Sequence, residues 1–373
     1  MVPPRMIIPG FARRTPIGVD VGEDTTRIVQ LDARSNRIRA ALSIPMIDGA
    51  SREQFDLGSR IKRSLRRAGF TGTRCVVGVP RNFVHIHSIR APEMPSKELN
   101  ESLTWEATER FSIPQEHLRV DGIRTGARAI NSDGDRSEVV LFAMDDRNAT
   151  PCLETLLESG LAPMALEPSF CGVSRAHSRH CRREEDRERV RVVLDCGAGG
   201  CTLVYLRGDR IGFCKTFSVS GDLLDATVAE KLEMDIESAA ALRRDRCRAS
   251  RTKKQIDMAA ESGVLDASKP LLHELATEVA LCLRHCAVAF RGARPEVLIL
   301  SGRDASEPGL AEVIAERTGM TVQTEDEDQT ISSIDKQLRN LGIRDEEPAA
   351  WTAALGLALH PLRARAMRAR RAA

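Results

Sequence analysis

The sequence predicts an α/β protein made of two similarly built halves that face each other across a cleft. Two stretches support this prediction, each with an apolar run of strand length, a break containing Asp-x-Gly, and a second apolar run. The first stretch is Ile17–Leu31 and the second is Val192–Leu206. Asp20 and Asp195 occupy the same place in the two stretches, and a motif repeated half a chain away indicates a duplicated architecture.

The turn of each predicted hairpin has the residue types that a phosphate site needs. Glycines, such as Gly22 and its counterpart Gly197, let the backbone N–H groups of a turn approach an anion closely. An aspartate at the end of a strand is suited to hold a water of a hydrated Mg²⁺ ion, because that ion keeps much of its water shell. One such stretch alone is more typical of an ordinary hairpin. Two facing copies are the phosphate-binding arrangement of the actin, Hsp70 and hexokinase superfamily.

Composition excludes several classes of function. The chain has 373 residues, enough for two to four domains or subdomains. One Tyr, two Trp and ten Phe are too few for the stacking platforms that bind single-stranded nucleic acid, and a net charge of +2 gives no basic field. No apolar run is long enough to predict a membrane span. The ten cysteines form no Cys-x-x-Cys pair and predict buried thiols in a reducing cytosol.

Hydrophobic periodicity predicts strands and helices in alternation. Predicted strands are three within 16–45, then 74–79, 82–89, 116–126, 138–144, 161–166, two within 192–206, 210–219, 295–301 and 320–323. Predicted helices are 51–69, 94–110, 149–159, 168–178, 221–232, 235–244, 271–291, 308–318 and 349–359.

Two charged stretches interrupt these patterns. The mixed-charge residues 182–190 have no apolar periodicity and are predicted to form a solvated connector between the halves. The basic stretch 243–254 is predicted to be a solvated joint between helices, with binding of an anionic partner as the alternative.

Two groups of potential metal ligands also occur in the sequence. His85 and His87 lie on one face of a predicted strand, and His177, His180 and Cys181 lie near the connector. Imidazole and thiolate are typical zinc ligands. Neither group shows a complete ligand set, so a solvated strand face and a loop edge are the favoured interpretations.

The order and spacing of several short motifs resemble one family. The motifs are Gly18-Val19-Asp20-Val21-Gly22, Met94-Pro95-Ser96 with Trp105-Glu106-Ala107, Asp195-Cys196-Gly197-Ala198, Ser220-Gly221-Asp222-Leu223-Leu224-Asp225, and Leu300-Ser301-Gly302-Arg303-Asp304-Ala305 followed by Pro308-Gly309-Leu310. No single motif is specific. Together, over 16–360, they are similar to the type IV pilus assembly protein PilM family, whose members are actin-like and related to the cell-division protein FtsA.

The resemblance implies an actin-like ATPase fold with two RNase H-like halves and an FtsA-like inserted subdomain. The expected divisions are a disordered leader at 1–15, a first half at 16–45 and 136–181, an inserted partner-binding subdomain at 46–135, the connector at 182–190, a second half at 191–225 and 292–360, a helical nucleotide-side subdomain at 226–291 and a basic tail at 361–373.

The resemblance also implies ATP and Mg²⁺ in the cleft. Asp20 and Asp195 are the expected metal-site residues. The expected cofactor-binding residues are Asp20, Gly22, Thr25, Thr26, Arg27, Asp195, Gly197, Gly199, Gly200, Thr202, Gly221, Asp222, Gly302 and Arg303. No catalytic residue is predicted, and the chain is at most a slow ATPase.

Several residues depart from the family pattern. Glu23 and Asp24 stand in a loop that is usually serine-rich, and a carboxylate facing a phosphate repels it by up to ~4 kcal/mol at an intermediate dielectric. Cys201 replaces a threonine, and Arg303 and Asp304 replace two glycines of the adenosine segment. Binding of ATP is therefore expected to be weak and its hydrolysis slow or absent.

The implied role is that of a cytoplasmic scaffold at the inner face of the inner membrane. It would bind the cytoplasmic N-terminal peptide of a bitopic PilN-like protein, in a groove between the first core subdomain and the insert, with the helix at 94–111 nearby. Self-association into a ring is expected, without nucleic acid, and with membrane contact only through partners. The alternatives are a nucleotide-free interaction module of a type II secretion-like complex and a small-molecule kinase of the same superfamily.

Overall fold

The structure is a computed structural model that describes residues 15–45, 54–131, 134–181, 183–252, 258–290, 294–324 and 326–361. Apart from Thr15 and Pro361, the predicted leader and basic tail lie outside these residues. The described strands are β1 (Ile17–Val21), β2 (Thr25–Leu31), β3 (Ile38–Pro45), β4 (Arg74–Val79), β5 (His85–Pro92), β6 (Leu118–Asn131), β7 (Gly134–Asp145), β8 (Ala162–Pro168), β9 (Val190–Gly197), β10 (Gly200–Arg207), β11 (Arg210–Phe217), β12 (Val297–Ser301) and β13 (Val322–Gln323). The described helices are α1 (Gln54–Arg67), α2 (Ser96–Arg110), α3 (Asp146–Glu158), α4 (Ser169–Ser178), α5 (Gly221–Lys231), α6 (Ile236–Thr252), α7 (Met258–Ala289), α8 (Leu310–Thr318), α9 (Gln329–Asn340) and α10 (Thr352–Ala358).

Two five-stranded sheets have the same topology. The first sheet has the strand order β3-β2-β1-β4-β8, and the second has β11-β10-β9-β12-β13. In each, the first hairpin strand pairs antiparallel with its partner and parallel with a strand from much later in its half, β1 with β4 and β9 with β12. All five residues of β1 are buried, as expected for a central strand covered on both faces. The predicted duplication of the hairpin is thus present in the fold.

Helices α4 and α10 pack closely together, and both contact the sheets. Their backbones approach so closely that a Cβ placed on Gly356 would lie 1.7 Å from the carbonyl oxygen of Gly172. Helix α10 also packs on β1, where a Cβ on Gly18 would lie 2.2 Å from the carbonyl oxygen of Ala354. Helix α4, which comes from the first half, contacts β9 and β10 of the second sheet. Each half therefore contributes a helix that packs on the other half's sheet.

The third sheet, of order β5-β7-β6, forms a separate layer with α2 on one face. Leu99 and Leu103 of α2 share a buried apolar cluster with Leu118, Val139 and Leu141 of the sheet. This layer runs from β5 to the end of β7, which differs from the predicted 46–135. At its start, β4 pairs with β1 and α1 packs against α3, so both elements belong to the first half. At its end, β7 pairs with both β5 and β6, so the whole of β7 belongs to the third sheet.

Helix α9 was not predicted, and α6 and α7 are longer than predicted. Asp328 caps α9, because its side chain accepts hydrogen bonds from the backbone N–H groups of Thr330 and Ile331. The predicted solvated joint at 243–254 is wrong for its first part, because α6 continues to Thr252 and buries Arg243. Every helix in the described part of the chain is too short or too polar to cross a bilayer.

Candidate functional site

The turns of the two hairpins line one small cavity between the halves. Of the predicted residues, the first hairpin contributes Asp20, Gly22 and Arg27 to its lining, and the second hairpin contributes Asp195 and Gly197. Thr202, Gly302 and Arg303 complete the predicted set that the cavity brings together. The remaining predicted residues, Thr25, Thr26, Gly199, Gly200, Gly221 and Asp222, do not line the cavity itself.

Asp20 is buried, 15% of the Asp195 side chain is exposed, and both carboxylates line the same cavity. Oδ1 of Asp20 accepts a hydrogen bond of 2.6 Å from Oγ of Ser169, at the start of α4. Burial raises the pKa of Asp20 to about 6, and the nearby Asp195 carboxylate adds to that rise. Burial likewise raises the pKa of Asp195, and the guanidinium of Arg81 opposes this. Two carboxylates in one cavity disfavour each other's ionised form, and a cation close by offsets this effect.

Arg81 supplies that cation. It follows β4 in the first half and reaches the second hairpin, where Nη1 donates a 3.0 Å hydrogen bond to Oγ1 of Thr202. Its Nη2 lies 3.8 Å from Oδ2 of Asp195 and 2.7 Å from a Cβ placed on Gly197. Sequence reasoning missed Arg81. Its position beyond the carboxyl end of a strand next to β1 was the available signal, because ligands of open α/β sheets bind at that edge.

Glu23 lies on the turn of the second hairpin. A Cβ placed on Gly199 would lie 2.0 Å from Oε2 of Glu23 and 2.2 Å from Oε1, so the carboxylate lies directly against the backbone of this glycine. Burial raises the pKa of Glu23, and Arg81 opposes that rise. The space beside the glycine turn that would receive a phosphate is therefore occupied by a carboxylate of the same chain.

Arg303 closes the cleft from the adenosine segment. Its Nη1 donates a 2.8 Å hydrogen bond to Oδ2 of Asp24, and its Nη2 lies 3.8 Å from Oδ1 of Asp222. A Cβ placed on Gly221 would lie 2.3 Å from Nη2 of Arg303 and 2.4 Å from Oδ2 of Asp304. The adenosine segment and the cofactor-binding segment at Gly221 thus touch each other.

A buried ionic cluster lies behind this contact. Arg243 of α6, with 2% of its side chain exposed, pairs with Asp225 of α5, with Asp304 at 3.1 Å and with Glu307 at 3.0 Å. It also donates a 2.8 Å hydrogen bond to the carbonyl oxygen of Gly221. The anionic partner of this part of the basic stretch is therefore internal.

ATP and Mg²⁺ do not fit the cleft with its side chains in these positions. The cavity has a volume of about 80 Å³, whereas pockets for small ligands have roughly 300–1,000 Å³. The Glu23 carboxylate occupies the space beside Gly199, and Arg27, which also lines the cavity, has its Nε 3.7 Å from Oε2 of Glu346. The geometry does not support the predicted weak nucleotide binding.

A much larger groove, of about 1670 Å³, lies between the first sheet and the third. Strands β6 and β8, the terminal strands of their sheets within the described residues, both contribute to its lining. Helix α2 was expected near such a groove, but none of its residues line it. The side chain of Leu103 on α2 instead packs against Gly122 of β6. On the side of the third sheet the groove wall therefore comes from β6 and β7, while residues of β8, α4 and α9 line it elsewhere.

The two groups of potential metal ligands are not assembled as metal sites in the described residues. The ring of His85 stacks on Phe111, with 4.7 Å between ring centroids. His177 is buried, with its Nδ1 3.6 Å from Oδ1 of Asp328. A third group, His117, Asp145 and Asp146, has ligand atoms within 4.8 Å of one another, but Arg119 and Arg147 already pair with its carboxylates.

The comparisons with known proteins agree with the predicted fold and family. A solved structure described as a PilM-PilN type IV pilus biogenesis complex is 23% identical, with a TM-score of 0.74, over 92% of this chain and 98% of that one. The ethanolamine utilization protein EutJ from Carboxydothermus hydrogenoformans is 13% identical, with a TM-score of 0.53, over 94% of this chain and 91% of that one. No curated protein matches the sequence. The actin-like fold is thus confirmed. The profile of the family described as type IV pilus assembly protein PilM matches residues 18–362, so this chain belongs to that family.

Proposed function

We propose that the chain is an actin-like scaffold of a type IV pilus assembly machine that docks the cytoplasmic N-terminal peptide of a PilN-like inner-membrane protein. Family membership supports the machine, and the similar structure described as a PilM-PilN complex supports the kind of partner. In this proposal the chain is held at the inner face of the inner membrane by that partner. The observation that carries the proposal is the groove between the first and third sheets.

The groove suits an extended peptide. Strands β6 and β8 lie along it and end their sheets, and an edge strand offers unpaired backbone groups to which a further strand can add. Apolar side chains stand beside these edges, including Ile123 of β6, Phe142 of β7 and Leu166 of β8. An added strand would gain affinity from main-chain hydrogen bonds and specificity from alternate side chains in apolar pockets.

One ion pair in the lining of the groove, Arg175 with Glu167, is satisfied within the chain. Nη1 and Nη2 of Arg175 contact the two carboxylate oxygens of Glu167 at 2.8 and 3.0 Å, and Nη1 also lies 2.8 Å from the carbonyl oxygen of Gly356. This bidentate pair needs no ligand to satisfy it. Binding therefore depends mainly on the apolar walls and the strand edges, while Arg210 and Lys336 add positive charge at the lining.

Fluorescence anisotropy with a labelled peptide from the N-terminus of the PilN-like partner tests this proposal. The wild-type chain is expected to bind it saturably. Ile123→Asp, which places a charge on the apolar wall, is expected to weaken binding by about tenfold or more, since burying an unpaired charge is unfavourable. Ile236→Asp is the matched control, because Ile236 is 60% exposed on α6 and lies outside the groove. Absence of binding by the wild type, or equal weakening by both folded variants, would contradict the proposal.

The filled cleft favours the nucleotide-free version of this scaffold. The family match favours the pilus machine over a type II secretion complex. Ring formation is a further part of the proposal that sedimentation of the chain with its partner peptide would test.

A further inference from the structure

We infer that this chain holds its interdomain cleft closed with its own side chains, with Glu23 in the place of a phosphate and Arg81 in the place of a cation. The scaffold then keeps its closed form without nucleotide. This inference goes beyond partner docking and is independent of it. It concerns the contacts between the two halves at the cleft, and its ligand is a nucleotide and not a peptide.

Three side chains bridge the halves at the cleft. From the first half, Glu23 reaches the backbone of Gly199 and Arg81 reaches Thr202. From the second half, Arg303 reaches Asp24. The three bridges are a carboxylate against the backbone of Gly199, a guanidinium beside the carboxylate of Asp195 and a second guanidinium on the carboxylate of Asp24. Opening the cleft requires all three to break together.

Charge balance explains why the closed cleft is stable without a ligand. Its lining has four carboxylates, Asp20, Glu23, Asp24 and Asp195, and three guanidinium groups, Arg27, Arg81 and Arg303. The site is thus close to neutral when Arg81 and Arg303 are in place. A magnesium–nucleotide complex carries net negative charge and would have to displace Glu23 from Gly199, while the carboxylates of Glu23 and Asp24 stayed close to its phosphates. Both the space and the charge therefore act against nucleotide.

The ionic cluster of Arg243 reinforces the closure. It fixes Asp304 and the start of α5 in one arrangement, and Asp304 in turn receives a 3.1 Å hydrogen bond from Nε of Arg303. Arg303 is thereby held toward Asp24. Because Arg303 is already held by Asp304, its side chain loses little further conformational entropy when it contacts Asp24 across the cleft.

Hydrogen–deuterium exchange of the full-length chain tests the inference directly. The peptide covering the second hairpin turn is expected to be protected in the wild type, with the same protection when millimolar ATP and Mg²⁺ are added. Glu23→Ala is expected to speed exchange in this peptide by about tenfold or more, because removing one of the three contacts between the halves makes local opening of the turn easier. Glu101→Ala, on the exposed part of α2, is the control and is expected to leave this exchange unchanged.

Calorimetry on the same proteins provides the second measurement. Wild type and Glu101→Ala are expected to give no binding heat with ATP–Mg²⁺. Saturable nucleotide binding by the wild type, or a rise in protection of the turn when nucleotide is added, would overturn the inference. If Glu23→Ala fails to fold, Glu23→Gln replaces it, and unchanged exchange in that folded variant overturns the inference equally. Peptide binding is a separate readout, so its failure leaves these outcomes unaffected.

Discussion

Arg303 and Asp24 form a hydrogen bond of 2.8 Å that joins the two halves across 279 positions of sequence. Arg303 replaces a glycine expected in the adenosine segment, and Asp24 replaces a small residue expected in the phosphate loop. Each substitution alone predicts damage to a nucleotide site. In the structure they are partners, so the two departures from the family pattern together make one new contact.

Removing this contact is expected to destabilise the chain moderately. Arg303→Ala leaves Asp24 and Asp304 without their shared cation, and 15% of the Arg303 side chain is exposed. Breaking a fully buried pair costs about 3–5 kcal/mol, but 37% of the Asp24 side chain is exposed. Solvent screening therefore reduces the expected loss to about 1–2 kcal/mol.

Urea denaturation measures the effect of Arg303→Ala. The control is Arg110→Ala, which removes an exposed pair with Glu106 on one helix and is expected to cost about 0.3–0.5 kcal/mol. Equal losses for the two variants would show that the Arg303 bridge does not stabilise the closed cleft.

The cluster around Arg243 is expected to contribute more. Arg243→Ala leaves Asp225, Asp304 and Glu307 buried with their cation removed, and such a loss costs about 3–5 kcal/mol. Arg244, the next residue on α6, is exposed, so Arg244→Ala is a matched control with an expected change within about 0.5 kcal/mol. Thermal and urea denaturation distinguish the two. A small effect of Arg243→Ala would mean that the cluster relaxes around the missing side chain.

Asp20 is expected to make stability depend on pH. Burial raises its pKa to about 6 from an ordinary value of 3.8. Between about pH 4 and pH 6 the folded chain retains a proton that the unfolded chain has released. The contribution of protonated Asp20 to the free energy of unfolding is therefore complete below about pH 4 and is lost as the pH rises through about 6. Asp20→Asn cannot ionise and is expected to exceed the wild type by roughly 1–3 kcal/mol at pH 8, with a smaller difference at pH 5.

Urea denaturation at several pH values checks the sign of this effect. Asp235 is an exposed carboxylate whose pKa is lowered by the backbone N–H of Ser238. Asp235→Asn is therefore expected to change the slope of the free energy of unfolding against pH in the direction opposite to that of Asp20→Asn. A wild-type advantage over Asp20→Asn at pH 8 would contradict the assignment of Asp20 as a buried, unfavourably ionised group.

The crossing of α4 and α10 is expected to tolerate no side chain at Gly356. Gly356→Ala places a Cβ 1.7 Å from the carbonyl oxygen of Gly172, so the helices must separate, at about 3 kcal/mol or more. Gly263→Ala in α7 is the control, because only the end of the Leu232 side chain lies within reach, at 2.9 Å. Alanine there is expected to be neutral or to stabilise by up to about 1 kcal/mol. Equal melting temperatures for the two variants would exclude this close crossing.

Local patterns in the sequence predicted most of the strands and helices of the fold. The hairpins around Asp20 and Asp195 are visible because apolar runs and small turn residues lie next to each other in the chain. The extent of the third layer was not visible in the same way, because it depends on the pairing of β4 with β1. Helix α9 was not predicted, because the acidic residues before it indicated a loop. Its residues Ile331, Ile334 and Leu338 nevertheless have helical spacing and are buried.

The closure of the candidate site was less visible in the sequence. Glu23, Asp24 and Arg303 stood out as departures from a pattern, but their partners lie in the other half of the chain. Arg81 belongs to no motif, and its partner Thr202 is 121 positions away. Local periodicity has no information on such pairs, because both sides of the contact are set by how the halves pack.

The most direct test of the account is the affinity of the partner's N-terminal peptide for the full-length chain, measured with and without millimolar ATP–Mg²⁺. A scaffold whose groove binds the peptide and whose cleft is closed by Glu23, Arg81 and Arg303 predicts saturable binding with the same Kd in both conditions. A Kd that changes by about tenfold on adding nucleotide, equivalent to about 1.4 kcal/mol of coupling between the two sites, would contradict the account, as would the absence of peptide binding.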